Sequence, residues 1–236
     1  MDNFKYSGTE LDLFEHATNW KKYWSSKIAN SIKGNVLEVG AGTGSNTLLL
    51  FSNKKVDKWV SLEPDTILCN QAKSRIGSVT DSTKVEFLSC YTSALAPNEK
   101  YNSILYIDVL EHIENDYDEL LTASRHLHED GTIIILSPAH NFLFSPFDKA
   151  IGHYRRYNKK SLSDAIPKSL TINKMYYIDS VGLIASAANR FMLKSKMPNP
   201  TQINLWDKLM VPASRVLDLI TGFSLGKSIV CEIKFK

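Results

Sequence analysis

Short apolar runs alternate with amphipathic helical stretches along most of the chain, and this alternation is its strongest constraint on fold. The runs are Asn35–Val39, Trp59–Leu62, Val85–Leu88, Ser103–Ile107, Thr132–Leu136, Thr171–Tyr177 and Ser228–Phe235. Among the first five lie the helical stretches Ser45–Ser52, Asp65–Ile76 and Asp116–His128. Strands that are apolar nearly throughout need cover on both faces, and crossover helices supply it. The pattern predicts an α/β fold: a seven-stranded, mostly parallel sheet with helices on both faces. The last run has no room for a crossover helix beyond it, so it is expected to pair antiparallel. Gly34 and Gly131 read as turns ahead of strands.

Two segments fall outside the alternation. Residues 9–31 read as one helix with Leu11, Phe14, Ala17, Trp20 and Trp24 on a stripe; Trp20, Tyr23 and Trp24 are expected in the core rather than over a ligand. Residues 180–222 contain a Pro-rich break at 197–202 and the stripe Trp206, Met210, Ala213, Leu217 and Ile220. That segment is expected to be a helical cap between strands six and seven, its stripe mostly core. The 236 residues thus divide into an N-terminal helical segment (1–33), a core (34–179), the cap (180–222) and a final strand (223–236), all in one domain.

At 43% hydrophobic and 22% charged residues the chain is neither disordered nor fibrous. Three scattered cysteines, Cys69, Cys90 and Cys231, form no CxxC pair and suit a reducing cytoplasm. The acidic start lacks signal-peptide character, and no run is long enough for a transmembrane segment. Residues 1–150 hold 14 Lys+Arg against 20 Asp+Glu, a net of −6; residues 151–236 hold 14 against 5, a net of +9. The basic third allows an anionic acceptor, peripheral contact with an anionic membrane, or a lysine-rich solvated face. With the basic residues scattered and no RNA-binding signature, nucleic acid is not an expected partner.

The segment Val36-Leu37-Glu38-Val39-Gly40-Ala41-Gly42-Thr43-Gly44 is a strand with an acid near its end, then a glycine loop, then a helix start. Such a loop lets a ligand approach the backbone, and the helix N-terminus favours negative charge. A dinucleotide loop would need glycine where Ser45 stands, and a phosphate-binding P-loop would need a Gly-Lys-Ser/Thr ending.

The spacing G-x-G-x-G behind an acid resembles the first motif of class I S-adenosylmethionine (SAM)-dependent methyltransferases. The resemblance continues in order through Glu63 in VSLEPD, 23 residues after Gly40, then YNSILYIDVLEHI (101–113) and LHEDGTIIILSPA (127–139). FSPFDKAIGHYRRYNKKSL (144–162) resembles a bacterial subgroup with a D-x-x-x-GH-x-RRY segment, as does the C-terminal GKSIVCEIKFK. The resemblance implies a Rossmann-like fold and SAM as cofactor, held by Glu38, Gly40, Gly42, Gly44, Glu63 at the ribose, Tyr91 near the adenine and Asp108 at the reactive end. Two positions depart from the family pattern. Tyr91 stands where many members carry an acid, and Thr132 replaces a glycine.

His140 directly follows the fifth strand and His153 lies in the GHYRRY segment, so both are candidate bases near neutral pH. Arg155 and Arg156 suit an anionic acceptor group, or else clamp the loop to core acids. Asp108, Glu111 and His112 form D-x-x-E-H, which in the similar ubiquinone-pathway O-methyltransferases can hold a divalent ion. Here Glu111 and His112 are expected to orient the loop, with no metal. The expected activity is O-methylation of a small molecule, a glycan or a lipid-linked sugar. A non-catalytic SAM-binding protein of the same fold and an NAD-dependent oxidoreductase are the alternatives.

Overall fold

The computed structural model describes residues 6, 8, 10–78, 84–190 and 199–236. Residues 1–5, 7 and 9 of the N-terminal segment, and 191–198 of the expected cap with part of its Pro-rich break, lie outside the described residues. The strands are β1 Gly34–Val39, β2 Val56–Leu62, β3 Val85–Leu88, β4 Tyr101–Ile107, β5 Leu127–Pro138, β6 Leu170–Ile178 and β7 Ser228–Phe235. They form one sheet in the order β3-β2-β1-β4-β5-β7-β6. β1 to β5 pair in parallel, and β7 inserts antiparallel between β5 and β6. The strand order reverses between β1 and β4, which opens a crevice at their carboxyl ends.

The helices follow local signals. Asp65 accepts from the Ile67 and Leu68 amides and starts α4 (Thr66–Gly77); Asn115 starts α5 (Asp116–Arg125). Between β1 and β2 runs α3 (Ser45–Leu50). The N-terminal helix expected over 9–31 is instead two, α1 (Glu10–Glu15) and α2 (Thr18–Ile28). The break occurs because the Asn19 and Trp20 amides at the start of α2 donate to the Asp207 carboxylate, distant in sequence. The β5–β6 crossover holds two helices that periodicity missed, α6 (Pro146–Ala150) and α7 (Lys159–Ala165). Their capping boxes at Ser145 and Asn158 were readable signals. Gly131 does not precede its strand but lies inside it, where a Cβ would sit 2.8 Å from the His128 carbonyl.

One sheet face packs Leu120 and Ala123 of α5 and Leu162 of α7. The other packs Trp20, Tyr23 and Trp24 of α2 with Ile203, Trp206 and Val211 of the cap. The cap comprises α8 (Ser180–Ala188), α9 (Pro200–Leu205), a π-helical turn Trp206–Met210 and α10 (Val211–Ile220).

Its expected core stripe needs correction. Trp206 is buried, but Ala213 and Ile220 face solvent, while Val211, Ser214 and Asp218 point inward. Hydrogen bonds set this rotation. Asp218 accepts from the Tyr23 hydroxyl at 2.6 Å and from the Asp179 and Ser180 amides at 2.8 and 2.9 Å. The Ser214 hydroxyl donates to Asp179 at 2.7 Å. Buried polar groups left unpaired cost more than exposed aliphatic ones, so the polar side of α10 turns inward. Among the described residues no helix is long and apolar enough to cross a membrane.

Candidate active site

A cleft of about 1510 Å³ opens at the carboxyl ends of β1, β2 and β4. One wall is the glycine loop. Gly40, Gly42 and Gly44 all have positive φ, which non-glycine side chains resist. At Gly40 an added Cβ would come within 2.7 Å of Val109; at Gly42 it would meet only Leu11, at 3.6 Å. Glu63, at the end of β2, locks the loop: its Oε2 accepts from the Gly42 amide at 2.8 Å and its Oε1 from the Asp65 amide at 2.9 Å. Burial raises the Glu63 pKa, while these two amides pull it down.

Asp108 directly follows β4 with a positive φ of 54°. Its carboxylate opens into the cleft and makes no hydrogen bond to protein among the described residues. Desolvation by the surrounding walls pushes its pKa up to about 7, against the pull of Lys227. Tyr91 also lines the cleft and is exposed to it.

The opposite wall carries His153. Its Nδ1 lies 3.0 Å from Asp148 Oδ1, and its ring packs edge-on against His112. Burial works to raise the Asp148 pKa, but hydrogen bonds from His153, Arg156 and Ser145 outweigh it and hold the carboxyl well below its usual range. Glu111 accepts from the Ser137 hydroxyl at 2.6 Å, while its other oxygen, Oε1, is buried with no hydrogen bond and lies 3.8 Å from His153 Nε2. Burial, then the Asp108 charge, pushes the Glu111 carboxyl far up. Burial, helped by His153, lowers His112 to about 3. Ligand-type atoms of Glu111, His112 and His153 all lie within 4.8 Å of one another, close enough to hold a metal ion.

The sequence matches a methyltransferase domain family over residues 14–225. The chain belongs to this methyltransferase family. Among solved structures, an S-adenosylmethionine-dependent methyltransferase from Clostridium acetobutylicum is 14% identical with a TM-score of 0.57, covering 93% of this chain and 92% of that one. Coclaurine N-methyltransferase, solved with N-methylheliamine and SAH, is 16% identical with a TM-score of 0.61, covering 98% and 76%. Mitomycin 7-O-methyltransferase is 12% identical with a TM-score of 0.57, covering 96% and 54%. At these identities the likeness is one of fold. Among curated protein sequences none matches.

Several sequence assignments change in this methyltransferase. Glu38 does not reach the cleft. It is buried beneath the loop, taking hydrogen bonds from Thr47, Trp59 and Ser61 that tie α3 to β1 and β2. Gly44 does not line the cleft either; it permits close packing, since a Cβ there would sit 3.0 Å from Ala72. His140 is turned away: its Nε2 lies 2.9 Å from the Gly226 carbonyl and its ring stacks on Tyr177. Arg155 pairs with Asp116 at 2.5 Å outside the cleft. Arg156 lines the cleft but grips Asp148 through Nε and Nη2, leaving Nη1 buried without a partner.

Sequence reading missed Tyr6, Trp206 and Lys227, all lining the cleft. The Lys227 ammonium lies 4.8 Å over the Trp206 ring and makes no hydrogen bond or ion pair among the described residues. A lysine directly before the last strand, at the sheet's carboxyl edge, was the available signal.

Proposed function

We propose that this methyltransferase moves the methyl group of SAM to a hydroxyl oxygen of a small acceptor bearing an anionic group, such as a sugar phosphate or lipid-linked sugar. One observation carries the reading: a single cleft sets the glycine loop, Glu63 and Asp108 against a histidine–carboxylate pair. SAM fits the first wall. The Glu63 oxygens keep lone pairs for two ribose hydroxyls, the unpartnered Asp108 carboxylate suits a cationic centre, and the space before Gly42 admits the ligand against the backbone. Tyr91 offers a flat face for adenine.

SAM supplies an already activated methyl on a sulfonium, so the protein chiefly positions the two reactants and excludes water. A neutral alcohol is a poor nucleophile, and its proton needs an acceptor. With Nδ1–H donating to Asp148, the remaining lone pair of His153 is on Nε2, at the cleft wall 3.8 Å from Glu111 Oε1, and Asp148 stabilises the imidazolium that forms. Such a base contributes roughly 10²–10⁴-fold. Lys227 and the buried, unpartnered Nη1 of Arg156 are the cationic donors for the acceptor's anionic group, and Arg155 takes no part in it.

The test follows methyl transfer from labelled SAM to a panel of hydroxylated anions, phosphorylated sugars included, with neutral analogues alongside. The reading expects anionic alcohols to be methylated. For His153→Ala it expects at least a hundredfold loss of turnover and unchanged SAM affinity. SAM binding without transfer to any acceptor would make this a non-catalytic binding protein, and near-normal turnover of the variant would remove the base.

A further inference from the structure

The cap turns an apolar, cationic face to solvent, and we propose that this face docks the protein on an anionic lipid bilayer. Leu205, Leu209, Val216, Leu219 and Ile220 recur at steps of three, four and seven residues along α9, the π turn and α10, so they share one side of the rod. Leu209, Leu219 and Ile220 are 64%, 66% and 76% exposed. A surface helix normally buries such a stripe. This one cannot roll inward, because Ser214 and Asp218 on its opposite side are bound to Asp179, Ser180 and Tyr23. A contiguous apolar patch of this kind marks an interaction surface.

Charge selects the occupant. Of the described basic residues in 180–227, Lys208 and Arg215 are exposed beside this stripe while Arg190 and Lys227 line the cleft, and the two acids there are Asp207 and Asp218. Both acids are buried, Asp207 under the α2 amides and Asp218 in the Tyr23 network. The described cap therefore shows solvent cations, Lys208 and Arg215 among them, and no carboxylate. A second copy would set like charges face to face, whereas an anionic bilayer offers acyl chains to the leucines and headgroups to the cations. The inner side of the same cap lines the cleft through Gly182, Ser186 and Trp206, so docking would hold the cleft one cap layer from the lipid surface. The docking does not depend on the acceptor reading. It deepens that reading by favouring an acceptor held in the bilayer.

Co-sedimentation of the full chain with vesicles of phosphatidylcholine alone, or mixed with phosphatidylglycerol, tests this directly. The expected result is binding to the anionic vesicles, weakened by high salt and at least about tenfold stronger than to neutral ones. Two changes at exposed positions, Leu219→Asp with Ile220→Asp, and separately Lys208→Glu, are expected to weaken binding by about tenfold or more while SAM titration stays normal. Failure to bind anionic vesicles would overturn the proposal, as would equal binding of the variants. So would a concentration-dependent dimer in place of vesicle binding. None of these outcomes touches the methyl-transfer reading, because sedimentation reads no chemistry.

Discussion

His153 Nδ1 lies 3.0 Å from Asp148 Oδ1, and the same oxygen receives Arg156 Nε at 2.7 Å. The shared carboxylate is fixed before any acceptor arrives, so the imidazole is oriented by a group that stays ionised. Asp148→Asn is expected to cut turnover about tenfold or more with SAM affinity unchanged, since the imidazolium loses its counter-charge. Turnover unchanged by Asp148→Asn would mean that Asp148 only braces the loop.

Asp108 supplies a pH dependence of known sign. Its carboxyl is raised to about 7, so it loses its negative charge as pH falls through that value. A cationic ligand then loses its counter-ion. SAM affinity should therefore decline between about pH 8 and about pH 6, and Asp108→Asn should bind weakly with little pH dependence. Calorimetric titration at several pH values measures both.

Much of this was legible in the sequence, for identifiable reasons. The strand Ser228–Phe235 is legible because Ile229, Val230 and Cys231 are followed by the alternation Glu232, Ile233, Lys234, Phe235, and Gly40, Gly42, Glu63 and Asp108 are tied by spacing to strand ends that a parallel sheet brings together. Glu38 and His140 misled because strand-end position does not reveal which side of the sheet a side chain takes. The rotation of α10 was illegible since it depends on Asp179 and Tyr23, residues far away along the chain. Arg155 and Arg156 separated because adjacent residues in an extended segment point apart, one to Asp116 and the other to Asp148.

That separation yields a specificity test. Lys227→Ala is expected to raise KM for an anionic acceptor about tenfold or more, leaving KM for its neutral analogue unchanged. Arg155→Ala removes a partly exposed ion pair, and should cost about 1 kcal/mol of stability or less with no effect on KM. Steady-state kinetics on matched acceptors separates them.

The trio Glu111, His112 and His153 is expected to work without a metal, His153 acting as the base. Turnover should therefore survive treatment with a chelator. Loss of activity restored by one divalent cation would instead make His153 Nε2 a metal ligand.

The most direct test of the whole account is calorimetric titration of SAM into Glu63→Gln beside the unaltered protein. Glu63 is the group that both locks the Gly42 amide and faces the proposed ribose position. The charge-assisted hydrogen bonds it would lose correspond to about 1.5–3 kcal/mol, so SAM should bind roughly ten- to hundredfold more weakly; the Gln amide nitrogen cannot accept from the second backbone N–H that Glu63 holds, so the unfolding midpoint falls too and the titration is run well below it. Equal SAM affinity in the two proteins, or no SAM binding by either, would contradict the assignment of this cleft.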